Sequence, residues 1–199
     1  MPEALLTLLA GRRGHFRMES GYHSEHWFEL DRLFAQPRRV QPFASALGHR
    51  LVLCQPDFIC GPQKGGARLA QMIAEEFGRG YVTAERTETA AISSALFSVR
   101  YTVPQPFRAR LRGKTVAIVD DAISAGSAVR GTHADLIACG AQPVALGALI
   151  VFGDKADAFA REHRLPLEQI AQAEFNMWPP TACPLCRRDV PLEVVSDER

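Results

Sequence analysis

The stretch from Thr115 to Thr132, TVAIVDDAISAGSAVRGT, most constrains how this chain can fold. It begins with an unbroken apolar run, Val116 to Val119, which is typical of a buried strand in a parallel sheet. Asp120 and Asp121 follow, then a loop of small residues and a segment of helical character. Ligands of open α/β sheets bind outside the carboxyl ends of the strands, and a helix N-terminus favours phosphate. The stretch therefore predicts a site for phosphate at one end and for hydroxyls or a metal at the other.

The two aspartates are neighbours in the chain, and this limits what they can do together. Adjacent residues of a strand point to opposite faces, so we expect Asp120 and Asp121 to do different jobs. Two common phosphate-binding patterns do not apply. The G-x-G-x-x-G fingerprint is absent from the sequence, and Thr132 and His133 follow Gly131 where a Walker A loop needs lysine.

Strands that alternate with helices continue on both sides of this stretch. Apolar runs at Phe58–Cys60 and Pro143–Phe152 predict two further buried strands. Helices are predicted from Pro37 onward, where apolar residues recur three and four apart, and from Ala67 to Phe77. The pattern indicates an α/β fold with a parallel, doubly wound sheet.

Further segments flank this core. Alternating apolar residues from His15 to Asp31 predict a hairpin around the turn at Ser20–Gly21, which we interpret as a separate lobe or lid. Pro166 to Ala173 predicts one or two helical turns, followed by an irregular tail that carries a CPLC segment. The expected domains are an N-terminal helix and hairpin at 1–36, an α/β core at 37–165, and a C-terminal helix and tail at 166–199.

Two segments between predicted strands have no apolar period. Arg86 to Ser94 is polar and small, and we interpret it as a mobile loop. Pro104 to Gly113 carries Arg108, Arg110 and Arg112, and it predicts a solvated basic connector. Both segments are expected to lie outside the regular elements of the fold.

Charge and composition narrow the classes of protein to which the chain can belong. The 199 residues carry a formal net charge of +1, which gives no footprint for general nucleic-acid binding. No run approaches the roughly 20 apolar residues of a membrane span. The N-terminus carries its charges after its apolar part, the reverse of a signal peptide. We therefore expect a cytoplasmic protein without a nucleic-acid or membrane partner.

The cysteines raise the question of a metal. Five is an odd number in a chain long enough to have its own core, and it does not predict a disulfide framework. Cys183-x-x-Cys186 has the spacing of half a zinc site, but no second pair stands near it. His15, His23 and His26 are read as hairpin residues of unknown role. Zinc binding and a reduced cysteine pair in a packed turn both stay open.

Three segments together resemble a known family. VAIVDDAISAGSAVRGT resembles the phosphoribosyl diphosphate signature of type I phosphoribosyltransferases, most closely that of the orotate enzymes. GHFRMESGYHSEHWFELDRLF resembles the N-terminal hood of the orotate enzymes, and ICGPQKGGARLA resembles their diphosphate loop. The segments occur in the order of that family, from residue 14 to about 152. The resemblance implies transfer of ribose 5-phosphate from phosphoribosyl diphosphate to a nucleobase, most closely orotate, with Mg²⁺ and in a homodimer.

The resemblance also implies a role for particular residues. Asp120 and Asp121 would hold the ribose hydroxyls, directly or through waters of the Mg²⁺ ion, and Arg86 would act with them in catalysis. Trp27 and Phe28 would contact the base. Many orotate enzymes carry an arginine for the orotate carboxylate after the last long strand, which this sequence lacks, and Arg130 is the candidate to replace it. The diphosphate would bind Gln63, Lys64, Gly65 and Gly66. The 5-phosphate would bind Ala122, Ile123, Ser124, Ala125, Gly126, Ser127 and Ala128.

A second class of function stays open because some positions depart from the orotate pattern. The orotate enzymes carry a catalytic loop, R-K-x-x-K-x-H-G, and only Arg86 matches it in this sequence. Lys64 stands one position early, and Glu19 occupies a position where some relatives have lysine. The alternatives are a transferase for another base, or a regulatory protein that binds phosphoribosyl diphosphate or a nucleotide without turnover.

Overall fold

The computed structural model describes residues 2–9, 11–87, 96 and 99–194. The α-helices in this part of the chain are α1 (Pro2–Leu6), α2 (Pro37–Leu51), α3 (Gly65–Phe77), α4 (Gln105–Leu111), α5 (Ser127–Ala138) and α6 (Lys155–His163). Short 3-10 helices lie at Leu30–Ala35, Val52–Cys54, Pro180–Ala182 and Cys186–Arg188. The strands are β1 (Gly11–Arg17), β2 (His23–Phe28), β3 (Phe58–Pro62), β4 (Gly80–Thr87), β5 (Arg100–Thr102), β6 (Thr115–Ile123), β7 (Gln142–Phe152), β8 (Leu167–Ala173), β9 (Met177–Trp178) and β10 (Glu193–Val194).

A six-stranded sheet in the order β5-β4-β3-β6-β7-β8 forms the centre of the molecule. Its strands run parallel except for β5, which pairs antiparallel with β4. Side chains of β6 alternate between two apolar clusters: Ala117 and Val119 pack with α1, α2 and α3, and Val116 and Ile118 pack with α5 and α6. Helices therefore cover both faces of the sheet, and the predicted doubly wound α/β fold is confirmed.

A smaller sheet in the order β10-β1-β2-β9 joins the two ends of the chain. Strands β1 and β2 form the predicted hairpin around Ser20–Gly21. Phe16 of β1 is in register with Glu193 of β10, and His23 of β2 with Trp178 of β9. The C-terminal tail is therefore tied to the hairpin by main-chain pairing. We call this four-stranded sheet the hood.

The predicted helical turns between Pro166 and Ala173 are wrong. Residues Leu167–Ala173 form β8, which pairs parallel with β7 and closes one edge of the central sheet. Ile170 and Ala171 are 6% and 3% exposed and pack into the core. Burial against β7 outweighs the local helical preference of so short a segment, because packing rather than propensity fixes most strands.

The basic connector between Pro104 and Gly113 is exposed at Arg110 and Arg112, as predicted, but it is not irregular. It contains α4, and Leu111 at the end of that helix is fully buried. Arg108 forms an ion pair with Asp135 of α5, at 2.7 Å between guanidinium nitrogen and carboxylate oxygen. One apolar anchor and one ion pair therefore hold the helix against the core.

Two predicted boundaries also shift. Arg86 lies within β4, which continues to Thr87, so it is a strand residue and does not start a loop. The rest of the predicted mobile loop, residues 88–94, lies outside the described residues. Helix α3 begins at Gly65, two residues before its predicted start.

Of the helices described here, none combines the length and the apolar character that a bilayer crossing requires.

Candidate functional site

A cavity of about 1010 Å³ opens where the parallel strands end. Strands β3, β4, β6 and β7 all point their carboxyl ends toward it, and the hood covers one side. Such an edge is where open α/β sheets bind ligands. Predicted site residues that line it are Trp27, Phe28, Gln63, Lys64, Gly65, Arg86, Asp120, Asp121, Ala122, Ile123, Ser124, Gly126, Ser127 and Ala128. The cavity therefore brings together residues from all three segments that carry the resemblance.

Three predicted site residues do not line this cavity. Gly66 and Ala125 are buried beneath it, where their backbone still shapes the turn and the loop. Arg130 lies one turn into α5, and its guanidinium carbon stacks 4.4 Å from the centre of the Phe159 ring. A base contact from Arg130 would require this side chain to leave that ring.

Asp120 and Asp121 lie side by side at the floor of the cavity, 8% and 7% exposed. The backbone N–H of Asp121 donates to Asp120 Oδ1 at 3.1 Å, and the N–H of Ala122 donates to Asp121 Oδ1 at 2.8 Å. Burial raises the pKa of Asp120 well above its usual value, and the charge and hydrogen bond of the Asp121 carboxyl raise it further. Two carboxyls held this close favour a ligand that brings positive charge or donates hydroxyl protons.

The expectation that the two aspartates point apart is wrong, because both carboxyls line one cavity and interact. The reason is the pairing of β6. Its register with β3 covers only Val116–Ile118, so at Asp120 and Asp121 the strand is paired only on its other side, where Asp120 is in register with Ala148 of β7. The space beside them is occupied by the turn that leads into α3.

The glycines of this turn lie directly against the two carboxyl groups. A Cβ atom on Gly65 would collide with the Asp121 carboxylate, and one on Gly66 would lie 2.6 Å from Asp120 Oδ1. Only glycine lets the backbone approach so closely. The Gln63–Lys64 peptide bond within this turn is cis. Helix α3 begins at Gly65, so its N-terminal N–H groups face the same edge of the sheet as the carboxyls.

The small-residue loop after β6 ends at Gly126, which adopts a left-handed conformation with φ of 80°. Helix α5 starts at the next residue, Ser127. The free N–H groups and the positive end of this helix are suited to an anion. In the structure the Ser127 hydroxyl donates to a carboxylate oxygen of Glu19 at 3.4 Å, so an anionic group from the hood lies against this loop.

A group of aromatic rings, which we call the aromatic wall, lines part of the cavity. The Phe28 ring stacks on Phe152, with 5.0 Å between ring centres and 4° between ring planes. Phe175 packs against both rings, and Trp27 lies next to Phe28 in the lining. This wall offers a flat apolar surface to a planar ligand. Phe28 therefore both packs the hood onto the core and faces the cavity.

Sequence reasoning missed several residues of this lining. Tyr101, Phe152 and Phe175 all contribute to it. Tyr101 and Phe175 come from segments without a recognisable motif, and only the three-dimensional fold brings them to the cavity. Phe152 is the final residue of a predicted strand, so its position at a carboxyl end was the one usable signal.

Comparison with protein families bears on what this cavity binds. Residues 31–170 match the model of the phosphoribosyl transferase domain, which is more than half of the chain. The chain belongs to the phosphoribosyltransferase family. The matched residues include the glycine turn, both aspartates and the small-residue loop. The family resemblance of the sequence is therefore confirmed, and the protein is a pentosyltransferase by family.

Curated relatives and solved structures agree with this assignment. An orotate phosphoribosyltransferase of Thermus thermophilus is 29% identical over 182 residues, covering 92% of each chain. One from Caldanaerobacter subterraneus subsp. tengcongensis is 24% identical over 180 residues, 90% of this chain and 87% of that one. The fold is similar to that of orotate phosphoribosyltransferase from Aeropyrum pernix, with a TM-score of 0.61 and 19% identity over 83% of this chain and 88% of that chain. It is also similar to adenine phosphoribosyltransferase from Trypanosoma brucei, with a TM-score of 0.66 and 15% identity over 85% of this chain and 78% of that chain.

Proposed function

We propose that this phosphoribosyltransferase transfers ribose 5-phosphate from phosphoribosyl diphosphate to orotate, which yields orotidine 5′-phosphate and diphosphate. One observation carries the proposal: a single cavity is lined by the aspartate pair, the glycine turn, the small-residue loop and the aromatic wall. The choice of orotate is supported by the names of the curated relatives and by the hood sequence. In the reaction, the bond from ribose to diphosphate breaks as a bond to a ring nitrogen forms.

The proposed binding mode follows the chemistry of each part of the cavity. Asp120 and Asp121 accept hydrogen bonds from the ribose hydroxyls. Backbone N–H groups between Ala122 and Ser127 hold the 5-phosphate at the start of α5. The turn from Gln63 to Gly66 lies along the diphosphate. This arrangement holds the ribose between two anchored anionic groups, and positioning of this kind lowers the entropic part of the barrier.

Mg²⁺ is part of this proposal, and the residues present fit it. Two buried carboxyls side by side offer the oxygen ligands that this ion prefers. The glycine turn leaves room beside them that a Cβ atom would fill. When bound, the ion neutralises charge on the diphosphate as it leaves. The chain's own part is to hold both carboxylates in place, because both accept backbone N–H donors that fix their orientation.

The charge that builds up on the departing diphosphate also needs protein cations. Lys64 and Arg86 line the cavity and come from the turn and from β4. We assign both to the diphosphate, Arg86 as the catalytic group. Preorganised cations of this kind stabilise the transition state because they need not rearrange during the reaction. Arg86 lies in the exposed last part of β4, one residue before the strand ends at Thr87.

The aromatic wall is the proposed site for the base. Stacking on Trp27 and Phe28 would orient the ring nitrogen toward the ribose. Arg130 stays a candidate contact for the orotate carboxylate, provided that it leaves the Phe159 ring. We further propose that the protein is a homodimer, on the basis of the family resemblance, and cytoplasmic, on the basis of its sequence pattern. Light scattering on the purified protein measures its mass in solution, and a monomer would contradict the dimer alone.

The direct test is an assay of purified protein with Mg²⁺ and phosphoribosyl diphosphate. We expect orotate to be consumed and diphosphate to be released in equal amounts. A panel of other pyrimidine and purine bases serves as the comparison. Release of diphosphate with another base would show that the acceptor is that base and not orotate, and it would still support the transferase reaction. No release with any base would overturn the transferase reaction as proposed.

A second candidate is a regulatory protein that binds phosphoribosyl diphosphate or a nucleotide without turnover. The observation that favours it is the Glu19 carboxylate, which accepts a hydrogen bond from Ser127 in the loop that would hold the phosphate. A negative charge there opposes an anionic ligand. Binding of phosphoribosyl diphosphate without diphosphate release would support this candidate over the enzyme.

A further inference from the structure

Four side chains meet where the hood contacts the C-terminal tail: His15, His23, Cys183 and Cys186. We call them the His₂Cys₂ cluster. One potential ligand atom from each residue lies within 4.8 Å of all the others. His15 belongs to β1 and His23 to β2, whereas the cysteines come from the tail about 160 residues later. The second half of the zinc site that the CPLC segment lacks in sequence is thus supplied by the hairpin.

The distances within the cluster fit a four-coordinate metal. His15 Nε2 lies 3.0 Å from His23 Nδ1, 3.5 Å from Cys183 Sγ and 3.7 Å from Cys186 Sγ. His23 Nδ1 lies 3.2 Å from Cys186 Sγ. In a tetrahedral zinc site with ordinary bond lengths, neighbouring nitrogen and sulfur ligands are roughly 3.3 to 3.8 Å apart. The two remaining pairs lie within 4.8 Å, so shifts of about 1 Å or less would bring all four atoms onto one ion.

The orientation of His15 supplies an independent argument. Its Nδ1 lies 2.8 Å from the backbone carbonyl oxygen of Val190, so Nδ1–H donates to that oxygen. This hydrogen bond fixes the tautomer and leaves the lone pair of Nε2 pointing into the cluster. A histidine ligand held by a carbonyl at its other nitrogen is the usual arrangement around protein metals. Val190 lies four residues after Cys186, so the tail provides both the ligand and its support.

The cluster is buried, which distinguishes it from a chance group of polar residues on the protein surface. His15, His23 and Cys183 are 1%, 5% and 1% exposed. Buried polar groups require partners, and one cation satisfies all four ligand atoms at once. Two neutral imidazoles and two thiolates bear two negative charges, which a divalent cation balances. Thiolate and imidazole together select a borderline-soft ion, and tetrahedral closure without an open position indicates a structural role.

We infer that His15, His23, Cys183 and Cys186 bind one structural zinc ion, which fastens the C-terminal tail to the hood. The consequence reaches the cavity, because Glu193 and Val194 of β10 line it and pair with β1 next to His15. The inference itself does not rest on the proposed transfer reaction. It fixes the position of the hood, from which Trp27 and Phe28 face the cavity.

Zinc content of the full chain, purified without added metal, is the first test. We expect about one zinc ion per chain in the wild type, as for other closed four-ligand sites. The double variant Cys183→Ser/Cys186→Ser should hold less than about a tenth of that amount, since it keeps only two ligands. Cys54→Ser, which removes a half-buried thiol far from the cluster, should keep its zinc. Retention of zinc in the double variant, or its absence from wild type after incubation with Zn²⁺, would overturn the inference.

A second measurement uses the wild type alone, so it does not depend on how the variants fold. Co²⁺ replaces zinc in such sites and reports its ligands by visible absorption. We expect the intense ligand-field bands of a tetrahedral ion and a sulfur-to-cobalt charge-transfer band, both lost on addition of Zn²⁺. The weak spectrum of a six-coordinate ion would contradict the site. So would a Cys183–Cys186 disulfide found by mass spectrometry in protein purified under reducing conditions.

Discussion

The Tyr101 hydroxyl donates to the carboxylate of Glu19, whose two oxygens each lie 3.0 Å away. One of these oxygens also accepts the Ser127 hydroxyl at 3.4 Å. A residue of the hood turn thus connects the antiparallel strand β5 with the start of α5. Burial raises the pKa of the Tyr101 hydroxyl, and the Glu19 charge raises it further, so Tyr101 stays a proton donor. This connection places a negative charge against the loop proposed to hold the 5-phosphate.

Replacement of Glu19 should therefore strengthen the binding of phosphoribosyl diphosphate. Glu19→Gln removes the charge and keeps an oxygen that can accept from Tyr101. We expect an affinity gain of about three- to tenfold, corresponding to about 1 kcal/mol of relieved repulsion near a surface. Titration calorimetry measures it. Glu25→Gln is the matched control, because Glu25 belongs to the same hood and pairs with Arg13 outside the cavity. Weaker binding by Glu19→Gln would show that the carboxylate helps the ligand.

Gly65→Ala should strongly impair the transfer reaction, because it disturbs the aspartate pair. Its Cβ atom would occupy the position of the Asp121 carboxylate, so either the turn or the aspartate must move. We expect a loss of about a hundredfold in kcat/KM, comparable to the misplacement of a positioned group. Gly78→Ala is the control: its Cβ meets no atom within 4 Å, although its positive φ costs some stability. Equal activity of the two variants would argue against the close approach of the turn.

Asp120→Asn should stabilise the protein near neutral pH while it removes function. The pKa of Asp120 is raised in the folded state, because burial and the Asp121 charge disfavour its ionised form. Ionisation therefore costs stability above the raised folded pKa, and this cost vanishes below the unfolded pKa of about 3.9. We expect the melting temperature of the variant to exceed that of wild type by a few degrees at pH 7 to 8. The difference should shrink as the pH falls toward about 4. A pH-independent difference would contradict the proposed burial of charge.

Phe28→Leu should weaken the binding of the base more than the binding of phosphoribosyl diphosphate. The substitution removes the ring that stacks on Phe152 and shortens the proposed platform for the base. We expect the KM for orotate to rise about threefold to tenfold, in line with about 1 kcal/mol for an aromatic contact. The KM for phosphoribosyl diphosphate should change little. Phe77→Leu, at the end of α3, controls for the loss of a ring elsewhere in the core. Equal increases in both KM values would indicate a general loss of packing.

Chelation should loosen the hood if the His₂Cys₂ cluster holds zinc. A ligand that binds only the folded chain stabilises it, and its removal lowers the melting temperature. A loss of about 3 kcal/mol would lower the melting temperature by roughly 6 to 12 °C in a chain of this size. The wild type should show this decrease with a strong chelator, and Cys183→Ser/Cys186→Ser should not respond. A wild type that melts at the same temperature with and without chelator would speak against a structural metal.

The sequence was most informative where a motif coincides with a strand end. Asp120, Ser127 and Gly65 could be placed near one another because their segments carry a family signature and follow predicted strands. Periodicity also located the long helix from Pro37 and the buried strand that ends at Phe152. In these cases the local pattern and the tertiary packing require the same structure.

Other features could not be predicted because they depend on contacts between distant segments. The sequence of β8 predicts a helix, because its pairing with the edge of β7 cannot be seen in the local pattern. Helix α4 could not be predicted, because its ion pair, Arg108 with Asp135, joins residues that share no motif. His15 and His23 showed no metal spacing, since a hairpin register rather than a helical period brings them together. Their cysteine partners come from a tail whose position only the hood sheet determines.

The most direct test of the central claim is calorimetry with phosphoribosyl diphosphate and Mg²⁺. The wild type is compared with Asp120→Asn/Asp121→Asn, and Asp154→Asn/Asp157→Asn on and before α6 serves as the control for loss of two carboxylates. We expect the control to bind like the wild type. The Asp120/Asp121 variant should bind about a hundredfold more weakly, since each lost charge-assisted hydrogen bond is worth about 1.5 kcal/mol or more. Equal affinity of all three proteins would contradict the assignment of this cavity to phosphoribosyl diphosphate.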